Sequence, residues 1–314
     1  MTRCNFNNLR YGAMCILLAL CGCSKSSSSS SDHPASQPEQ AAANATGPIV
    51  LAVNDPFYVH TGSSCVAKGN YRDYAGLAKA MSDAVGRPVV LKPFYSEAKL
   101  IDEAGQGKLD GVICKTWTAV QAARAATQPM DRLADLSMPG VAGPDSPDKL
   151  CGTFIVLKGS PIKSIKDLAG KKLAIGPDSG YEKSIAVRTL LAAQGVVPTS
   201  MPVEPTCIKS AAAVKSKQVD AAVLSNYAFH YGTLPAVEMT RDQVIVIGET
   251  AHMPFITIGL FTGRIDSDTR GRLRALLGEM AISPAKLPAD LGLVRLLSPD
   301  DWQPASVAEA AKHD

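Results

Sequence analysis

The sequence lacks the motifs that mark the common catalytic sites. It contains no Gly-x-Ser-x-Gly, no Walker loop, no HExxH and no paired-carboxylate signature. His60, His230 and His252 have no obvious nucleophile as a partner in the sequence. We therefore do not expect an enzyme, and no cofactor is predicted.

An excess of either charge is also missing. Lys and Arg number 32 and Asp and Glu 29, and no basic run or interleaving of aromatic and basic residues occurs. Two of the basic residues, Arg3 and Arg10, fall in a targeting segment, which leaves 30 basic against 29 acidic residues in the mature chain. Nucleic acid is therefore not an expected partner. No stretch after the first 22 residues is long and apolar enough to span a bilayer.

The N-terminal region has the pattern of a lipoprotein leader followed by a tether. Met14–Leu20 is a short apolar run, far below the roughly 20 residues that span a bilayer. Leu20-Cys21-Gly22-Cys23 resembles the bacterial lipobox, so residues 1–22 are predicted to be a signal peptide and Cys23 the lipidated residue. An ordinary signal peptide or a buried apolar segment is the alternative. Residues 23–46 are rich in Ser, Pro and Ala and are predicted to form a flexible tether.

The body of the chain alternates between strand and helix patterns, and 46% of all residues are hydrophobic, enough for a proper core. The predicted strands are 49–53, 89–92, 111–113, 154–157, 173–175, 201–203, 221–224, 244–247 and 256–261. The predicted helices are 74–85, 96–103, 118–126, 208–215 and 266–281, with a further helix that ends before Gly195. This alternation predicts an α/β fold with mainly parallel sheets. The segments 96–113 and 208–223 share a helix–turn–Asp–strand pattern, which suggests two similar α/β lobes unless the likeness is due to chance.

The stretch Lys172–Gly195 is central to the functional hypothesis. A short apolar run ends at Gly176-Pro177, a tight polar loop follows, and then a helical pattern begins. The N–H groups at such a helix start can hold an anion, helped by the helix dipole. Ser179 and Glu182 also have the spacing of a capping box, which needs no ligand.

Several segments resemble the phosphonate, phosphite and sulfonate group of extracytoplasmic solute-binding proteins of ABC importers. The likeness is carried by GSPIKSIKDLAGKKLAI at 159–175, DSGY at 178–181, KQVDAAV at 217–223 and Met253–Ile256. The resemblance implies the class II periplasmic-binding-protein fold: two α/β lobes joined by two crossing strands, with the ligand between them. Lobe one would comprise 47–149 and 248–314, lobe two 159–246, and the crossings would lie near 154–158 and 246–250.

Candidate ligand-binding residues are the polar and aromatic side chains just after predicted strands, because the carboxyl ends of the strands face the cleft in such folds. They are Tyr58, Tyr95, Lys115, Thr116, Ser179, Gly180, Tyr181, Ser225, Asn226, Tyr227 and His252. Each of these residues has a structural alternative, as a core aromatic, a solvated charge or a helix cap.

Four cysteines remain after the leader and Cys23, namely Cys65, Cys114, Cys151 and Cys207. In an oxidising compartment this even number predicts structural disulfides with three possible pairings. Three of the four follow strands on the predicted cleft side, so a soft metal or metal complex is the alternative. No spacing matches a zinc motif.

Taken together, these patterns predict a lipid-anchored solute-binding protein of the periplasm or cell surface. It would capture a small ligand, in the first place a phosphonate- or phosphate-like oxyanion, and deliver it to an ABC permease as a monomer. The alternative is an accessory or sensor lipoprotein on the same fold, binding a soft metal through cleft cysteines.

Overall fold

The computed structural model describes residues 47–63, 71–138, 148–229 and 233–304. The predicted leader, Cys23, the tether and Cys65 therefore lie outside the described residues, as does His230. No helix in the described part of the chain is long and apolar enough to cross a bilayer.

The described residues alternate between strands and helices. The strands are β1 Ile49–Asn54, β2 Val89–Pro93, β3 Gly111–Lys115, β4 Met130–Leu136, β5 Lys149–Leu150, β6 Gly152–Leu157, β7 Leu173–Ala174, β8 Ala221–Ser225, β9 Thr233–Leu234, β10 Met239–Thr240, β11 Val244–Glu249, β12 Met253–Pro254, β13 Ile256–Phe261 and β14 Leu296–Leu297. The α-helices are α1 Ala75–Val85, α2 Glu97–Gly105, α3 Thr116–Ala125, α4 Ala186–Ala193, α5 Cys207–Lys215 and α6 Ser267–Ile282. Short 3₁₀ turns and one π turn, Tyr181–Ile185, connect them.

The helices begin and end where local chemistry favours it. Thr206 accepts a hydrogen bond from the Lys209 N–H at the start of α5, and Asp266 accepts one from Thr269 N–H at the start of α6. Gly86 closes α1 in the left-handed conformation at φ 70°, which costs glycine little. These local interactions favour the observed bounds of the helices at several ends.

Two mixed sheets form the framework of the described chain. The larger has the strand order β14-β4-β13-β3-β1-β2 and the smaller β11-β6-β8-β7. The α/β fold is thus confirmed, but the sheets are mixed, because β13 is inserted antiparallel between β3 and β4, and β6 lies antiparallel between β11 and β8. The predicted strand at 201–203 is reduced to isolated bridges, Lys172 with Ser200 and Ile175 with Val203.

Both sheets contribute to one large core, which includes Ile155 and Leu224 of the smaller sheet, and the smaller sheet has a further core of its own. Val53, Leu77, Met81 and Ile113 belong to this large core on one face of the six-stranded sheet. Phe154, Leu173, Val187 and Leu191 form a core that joins the four-stranded sheet to α4. Helix α4 therefore fixes the loop that precedes it against the smaller sheet.

Candidate functional site

A cleft of about 430 Å³ lies where the carboxyl ends of strands from both sheets meet. Asn54 ends β1 and Lys115 ends β3 in the larger sheet, while Tyr227 follows β8 in the smaller one. The cleft is lined by Asn54, Asp55, Pro56, Thr61, Gly62, Ser63, Tyr95, Glu97, Lys115, Trp117, Thr118, Pro177, Ser179, Gly180, Tyr181, Glu182, Lys183, Pro205, Thr206, Cys207 and Tyr227. This volume falls within the range of small-molecule sites, about 300–1,000 Å³.

The loop between β7 and α4 contributes one wall of the cleft. Gly180 N–H donates to the Pro177 carbonyl at 2.8 Å, and the Ile185 N–H reaches back to the Gly180 carbonyl at 3.1 Å across the π turn. Gly180 is the N-cap, and no side chain caps this helix start. The capping box expected from Ser179 and Glu182 is therefore wrong, because the π turn moves the first helical residue to Tyr181 and directs Glu182 inward.

A buried ion pair crosses the floor of the cleft. Lys115 Nζ, from the larger sheet, lies 3.1 Å from Glu182 Oε1, and the Glu182 side chain is 3% exposed. The Ser225 hydroxyl donates to the same carboxylate oxygen at 2.9 Å. Glu97 is 4.0 Å from the Lys115 ammonium on its more exposed side.

The pKa values of the pair are displaced in opposite directions. Burial alone would raise the pKa of Glu182, but the positive charges of Lys115 and Lys183 outweigh it and hold the pKa at about 2. Burial opposes the charged form of Lys115, yet the Glu182 carboxylate raises the pKa of Lys115 well above its usual value. Both groups are therefore ionised throughout the physiological pH range.

Aromatic side chains connect the two sides of the cleft. Trp117, on α3, donates its indole N–H to the Ser179 carbonyl at 2.8 Å. The ring of Tyr181 lies between Trp117 and Trp302, with centroids 5.2 and 5.5 Å away. Tyr227 meets Phe57 edge to face at 5.7 Å. The loop of the smaller sheet is thus docked on the larger sheet by direct contacts.

A second buried charge, that of Asp55, lies in the wall of the cleft. The Asp55 carboxylate accepts hydrogen bonds from Arg72 Nε and the Tyr74 hydroxyl, both at 2.5 Å, and from Phe57 N–H at 3.0 Å. Arg72 also donates to the Ser137 carbonyl at 3.0 Å. This network fixes the chain after β1, from which Asn54 and Pro56 reach the cleft.

The structure brings six of the predicted residues into the cleft lining and places the others elsewhere. Tyr95, Lys115, Ser179, Gly180, Tyr181 and Tyr227 line it.

The remaining five serve the surrounding framework. Tyr58 packs in the core against His60 and Tyr74. Thr116 is buried and donates to the Pro254 carbonyl at 2.9 Å. Ser225 lies behind Glu182, Asn226 donates to the Lys149 carbonyl, and His252 pairs with Glu249 at the surface.

Sequence reasoning missed several polar lining residues, and four of them show how the fold sets their positions. These four are Glu97, Glu182, Lys183 and Thr206. The same rule that selected residues after strands extends to Glu97, which opens the helix after β2. Glu182 and Lys183 needed knowledge of the π turn, which has no sequence signature here.

The described cysteines are separated in the fold. Cys207 lines the cleft, Cys114 is buried in β3 and Cys151 lies between β5 and β6. No disulfide joins these three described residues to one another, so their predicted cross-links are not supported. Burial raises the pKa of the Cys114 thiol well above its usual value and, with the charge of Glu249, that of Cys151 to about 12.

The family model of the periplasmic substrate-binding protein of phosphonate ABC transporters matches residues 67–309. A search of curated proteins with the sequence returns no match. Among solved structures, XAC2383 from Xanthomonas citri, bound to ATP, has a TM-score of 0.60 at 17% identity, covering 82% of this chain and 92% of that one. PhnD1 from Prochlorococcus marinus, in complex with methylphosphonate, has a TM-score of 0.57 at 14% identity, covering 84% and 97%.

A binding-protein component of an ABC phosphonate transporter from Pseudomonas aeruginosa has a TM-score of 0.54 at 17% identity and covers 82% of both chains. At these identities the solved structures establish the fold, and the family match extends over most of the chain. The chain belongs to the family of periplasmic substrate-binding proteins of phosphonate ABC transporters, whose role is to bind a solute and not to catalyse a reaction.

Proposed function

We propose that the protein captures a small phosphonate- or phosphate-like oxyanion in the cleft between its two sheets and delivers it to an ABC permease from a lipid anchor at Cys23. One observation carries the proposal. A lysine at the end of β3 and the loop before α4 converge on the same cleft from opposite sides. Donors from both sides allow one anion to hold the two sides together.

The donors suit an oxyanion. Lys115 and Lys183 carry positive charge, Ser179 offers an exposed hydroxyl, and the helix start at Gly180–Glu182 carries the positive end of a dipole. An oxyanion accepts charge-assisted hydrogen bonds from such groups, which are about twice as strong as neutral ones.

The charge of the lining limits the ligand. Among the described lining residues, Lys115 and Lys183 stand against Glu97 and Glu182, since the charge of Asp55 is balanced by Arg72. Because the Lys115 ammonium already faces Glu182, we infer that a singly charged oxyanion binds more tightly than a doubly charged one of the same size. The aromatic wall of Tyr95 and Trp117 gives a small organic substituent apolar surface to cover.

A ligand panel tests the binding proposal. Isothermal titration of the mature protein with methylphosphonate, phosphite, phosphate, an alkylsulfonate and sulfate should give saturable one-to-one binding for at least one oxyanion. At a pH where methylphosphonate is doubly charged, the singly charged alkylsulfonate of similar size should bind more tightly than methylphosphonate. Affinity weaker than about 1 mM for every member would overturn the proposal. Lys115→Met, checked for folding by circular dichroism, should reduce the affinity for the best ligand.

The anchor has its own test. Cells that make the wild-type chain should incorporate a labelled fatty acid into it and release a processed form to the membrane fraction. Cys23→Ala should remain an unprocessed precursor without label, while Cys21→Ala should be processed. Labelling of Cys23→Ala would show that the anchor is not at this residue.

A further inference from the structure

The two segments that connect the sheets carry a local irregularity. Glu249, at the end of β11, pairs with Thr153 of β6, and Met253 of β12 pairs with Leu150 of β5. Between these pairs, the three residues 250–252 lie opposite only two, 151–152. An extra residue in one strand bends it and redirects neighbouring side chains.

This irregularity gathers three side chains that can bind a metal ion. The Cys151 thiol, a Glu249 carboxylate oxygen and a His252 ring nitrogen all lie within 4.8 Å of one another. His252 Nε2 and Glu249 Oε2 are 3.0 Å apart. Their side chains are 51% and 45% exposed, whereas Cys151 is buried beneath them, so an ion can reach the thiol from solvent past His252.

The backbone around Cys151 is held in place before any ion binds. Asn226 donates its backbone N–H to the Cys151 carbonyl at 3.0 Å and its side-chain amide to the Lys149 carbonyl at 2.9 Å. Thr250 donates its backbone N–H to the Gly152 carbonyl at 2.8 Å, and Gly152 donates its N–H to the Thr250 hydroxyl, also at 2.8 Å. Cys151 and His252 thus project from two segments fixed to each other, which reduces the ordering that binding requires.

We propose that Cys151, Glu249 and His252 form a binding site for a divalent late first-row transition metal ion such as Zn²⁺. Thiolate, imidazole and carboxylate are its usual protein ligands, and they surround the ion as a tetrahedron at about 2.0–2.3 Å. Ligand atoms that share one such ion are closer to one another than 4.8 Å, the limit within which the three atoms here already lie. The ion replaces the proton of the Cys151 thiol, which passes to solvent, and a water molecule supplies the fourth ligand. The site lies outside the cleft lining and is independent of the oxyanion proposal.

An ion at this position would fasten the two connecting segments together. Cys151 precedes β6 and Glu249 ends β11, the antiparallel pair that leads into the smaller sheet. His252 precedes β12 and the return to the larger sheet. A bond through all three therefore spans the junction about which the sheets would move.

Cobalt titration tests the site with a readout specific to the thiolate. Addition of Co²⁺ to metal-free wild-type protein should produce a thiolate-to-cobalt charge-transfer band that saturates at one equivalent, and Zn²⁺ should displace it. Cys151→Ser should lose the band. His252→Ala, a change at a half-exposed residue, should weaken Co²⁺ binding at least about tenfold. His60→Ala, the matched control at another exposed histidine, should bind as the wild type does.

The outcomes separate the possibilities. Failure of wild-type protein to bind Co²⁺ saturably would overturn the proposal, as would a band that survives in Cys151→Ser. Equal Co²⁺ affinities of His252→Ala and His60→Ala would also overturn the proposal, because His252 would then only hydrogen-bond to Glu249 and not bind the ion. A chain that shows the expected band but binds no oxyanion would support this site and refute the function proposed for the cleft.

Discussion

The Glu182 carboxylate occupies a position whose surroundings would also stabilise an incoming anion. It lies at the start of a helix, 3.1 Å from the Lys115 ammonium and 2.9 Å from the Ser225 hydroxyl. Within the protein these groups attract each other more strongly than in water, which offsets the cost of burying both charges. Any oxyanion that contacts Lys115 must therefore compete with Glu182 for it.

Glu182→Gln tests this competition. The change removes one partner of a buried ion pair and should lower the free energy of unfolding by about 3 kcal/mol. It should also raise the affinity for the oxyanion about tenfold, because Lys115 is released for the ligand. Urea denaturation and calorimetric titration measure the two effects.

Glu97→Gln is the matched control, because Glu97 is 4.0 Å from the same ammonium but 40% exposed. Its unfolding free energy should stay within about 0.5 kcal/mol of the wild-type value. Unchanged oxyanion affinity in Glu182→Gln would show that the ligand does not use Lys115.

Ser179→Ala separates binding from capping. The structure gives Ser179 no cap bond, so the empty protein should keep its stability within about 0.5 kcal/mol. Loss of the hydroxyl should lower ligand affinity by about tenfold, the worth of one charge-assisted hydrogen bond. Thermal melts and calorimetric titration provide the measurements.

Ser164→Ala should behave in the opposite way, since Ser164 is part of a true capping box with Asp167. It should lose about 1 kcal/mol of stability and keep its affinity. If Ser179→Ala also keeps its affinity, Ser179 does not contact the ligand.

At the scale of elements, the close approach of β6 to the π turn holds Glu182 in place. A Cβ built on Gly152 would lie 2.1 Å from the Glu182 carbonyl oxygen. Gly152 also pairs with Ser225, whose hydroxyl reaches the Glu182 carboxylate. The absence of a side chain at Gly152 thus sets how near the loop lies to the strand.

Gly152→Ala should disturb both stability and binding. The loop must shift to relieve the contact, which should cost about 1–3 kcal/mol and displace Ser179 from its place in the cleft wall. Titration of the ligand and chemical denaturation would record the two losses. Gly271→Ala is the control, since Gly271 lies inside α6 with open space beside it and should gain about 0.5–1 kcal/mol. A Gly152→Ala protein as stable as the wild type would show that the loop adapts freely.

The sequence pattern predicts most elements because their burial is periodic. Leu77, Ala78, Met81 and Val85 recur at helical spacing and form the buried face of α1, which lies within the predicted range 74–85, and β13 has its predicted bounds. Strand β4 was missed because it carries Asp131, Arg132 and Asp135. Arg270 and Arg274, in α6, pair with Asp131, and Thr257 donates to Asp135. Partners more than a hundred residues away in sequence leave no local pattern.

At the scale of the whole molecule, the two sides of the cleft touch before a ligand is considered. Three contacts join the loop of the smaller sheet to an element of the larger sheet or to the C-terminal segment. They are Lys115–Glu182, Trp117–Ser179 and Tyr181–Trp302. The sequence supports a two-part organisation through its repeat and its family resemblance. It does not show these contacts, because they depend on how the π turn is oriented.

The fall in the free energy of unfolding at acid pH should depend on the Lys115–Glu182 pair. The folded-state pKa of Glu182 is about 2, against about 4.3 in an unfolded chain. A carboxyl group whose pKa is lowered by folding adds stability at pH values above its unfolded-state pKa. This stability is lost as the pH falls toward the folded-state pKa. The raised pKa of Lys115 adds stability below about pH 10.4, the unfolded-state pKa of lysine, and this stability is lost only above that pH. The pair therefore contributes its full stabilisation between about pH 5 and pH 10.

Urea denaturation of the wild type and Glu182→Gln should therefore show a pH-dependent difference. A shift of about two units corresponds to about 3 kcal/mol, so the wild type should be the more stable protein by about that amount at pH 7. The difference should shrink steadily below pH 5, because protonated Glu182 and glutamine are both neutral. Other carboxylates, such as Asp266, titrate in both proteins and cancel in the comparison. A difference that stays constant from pH 7 down to about pH 3 would mean that folding does not lower the Glu182 pKa, and that the pair with Lys115 does not stabilise the carboxylate.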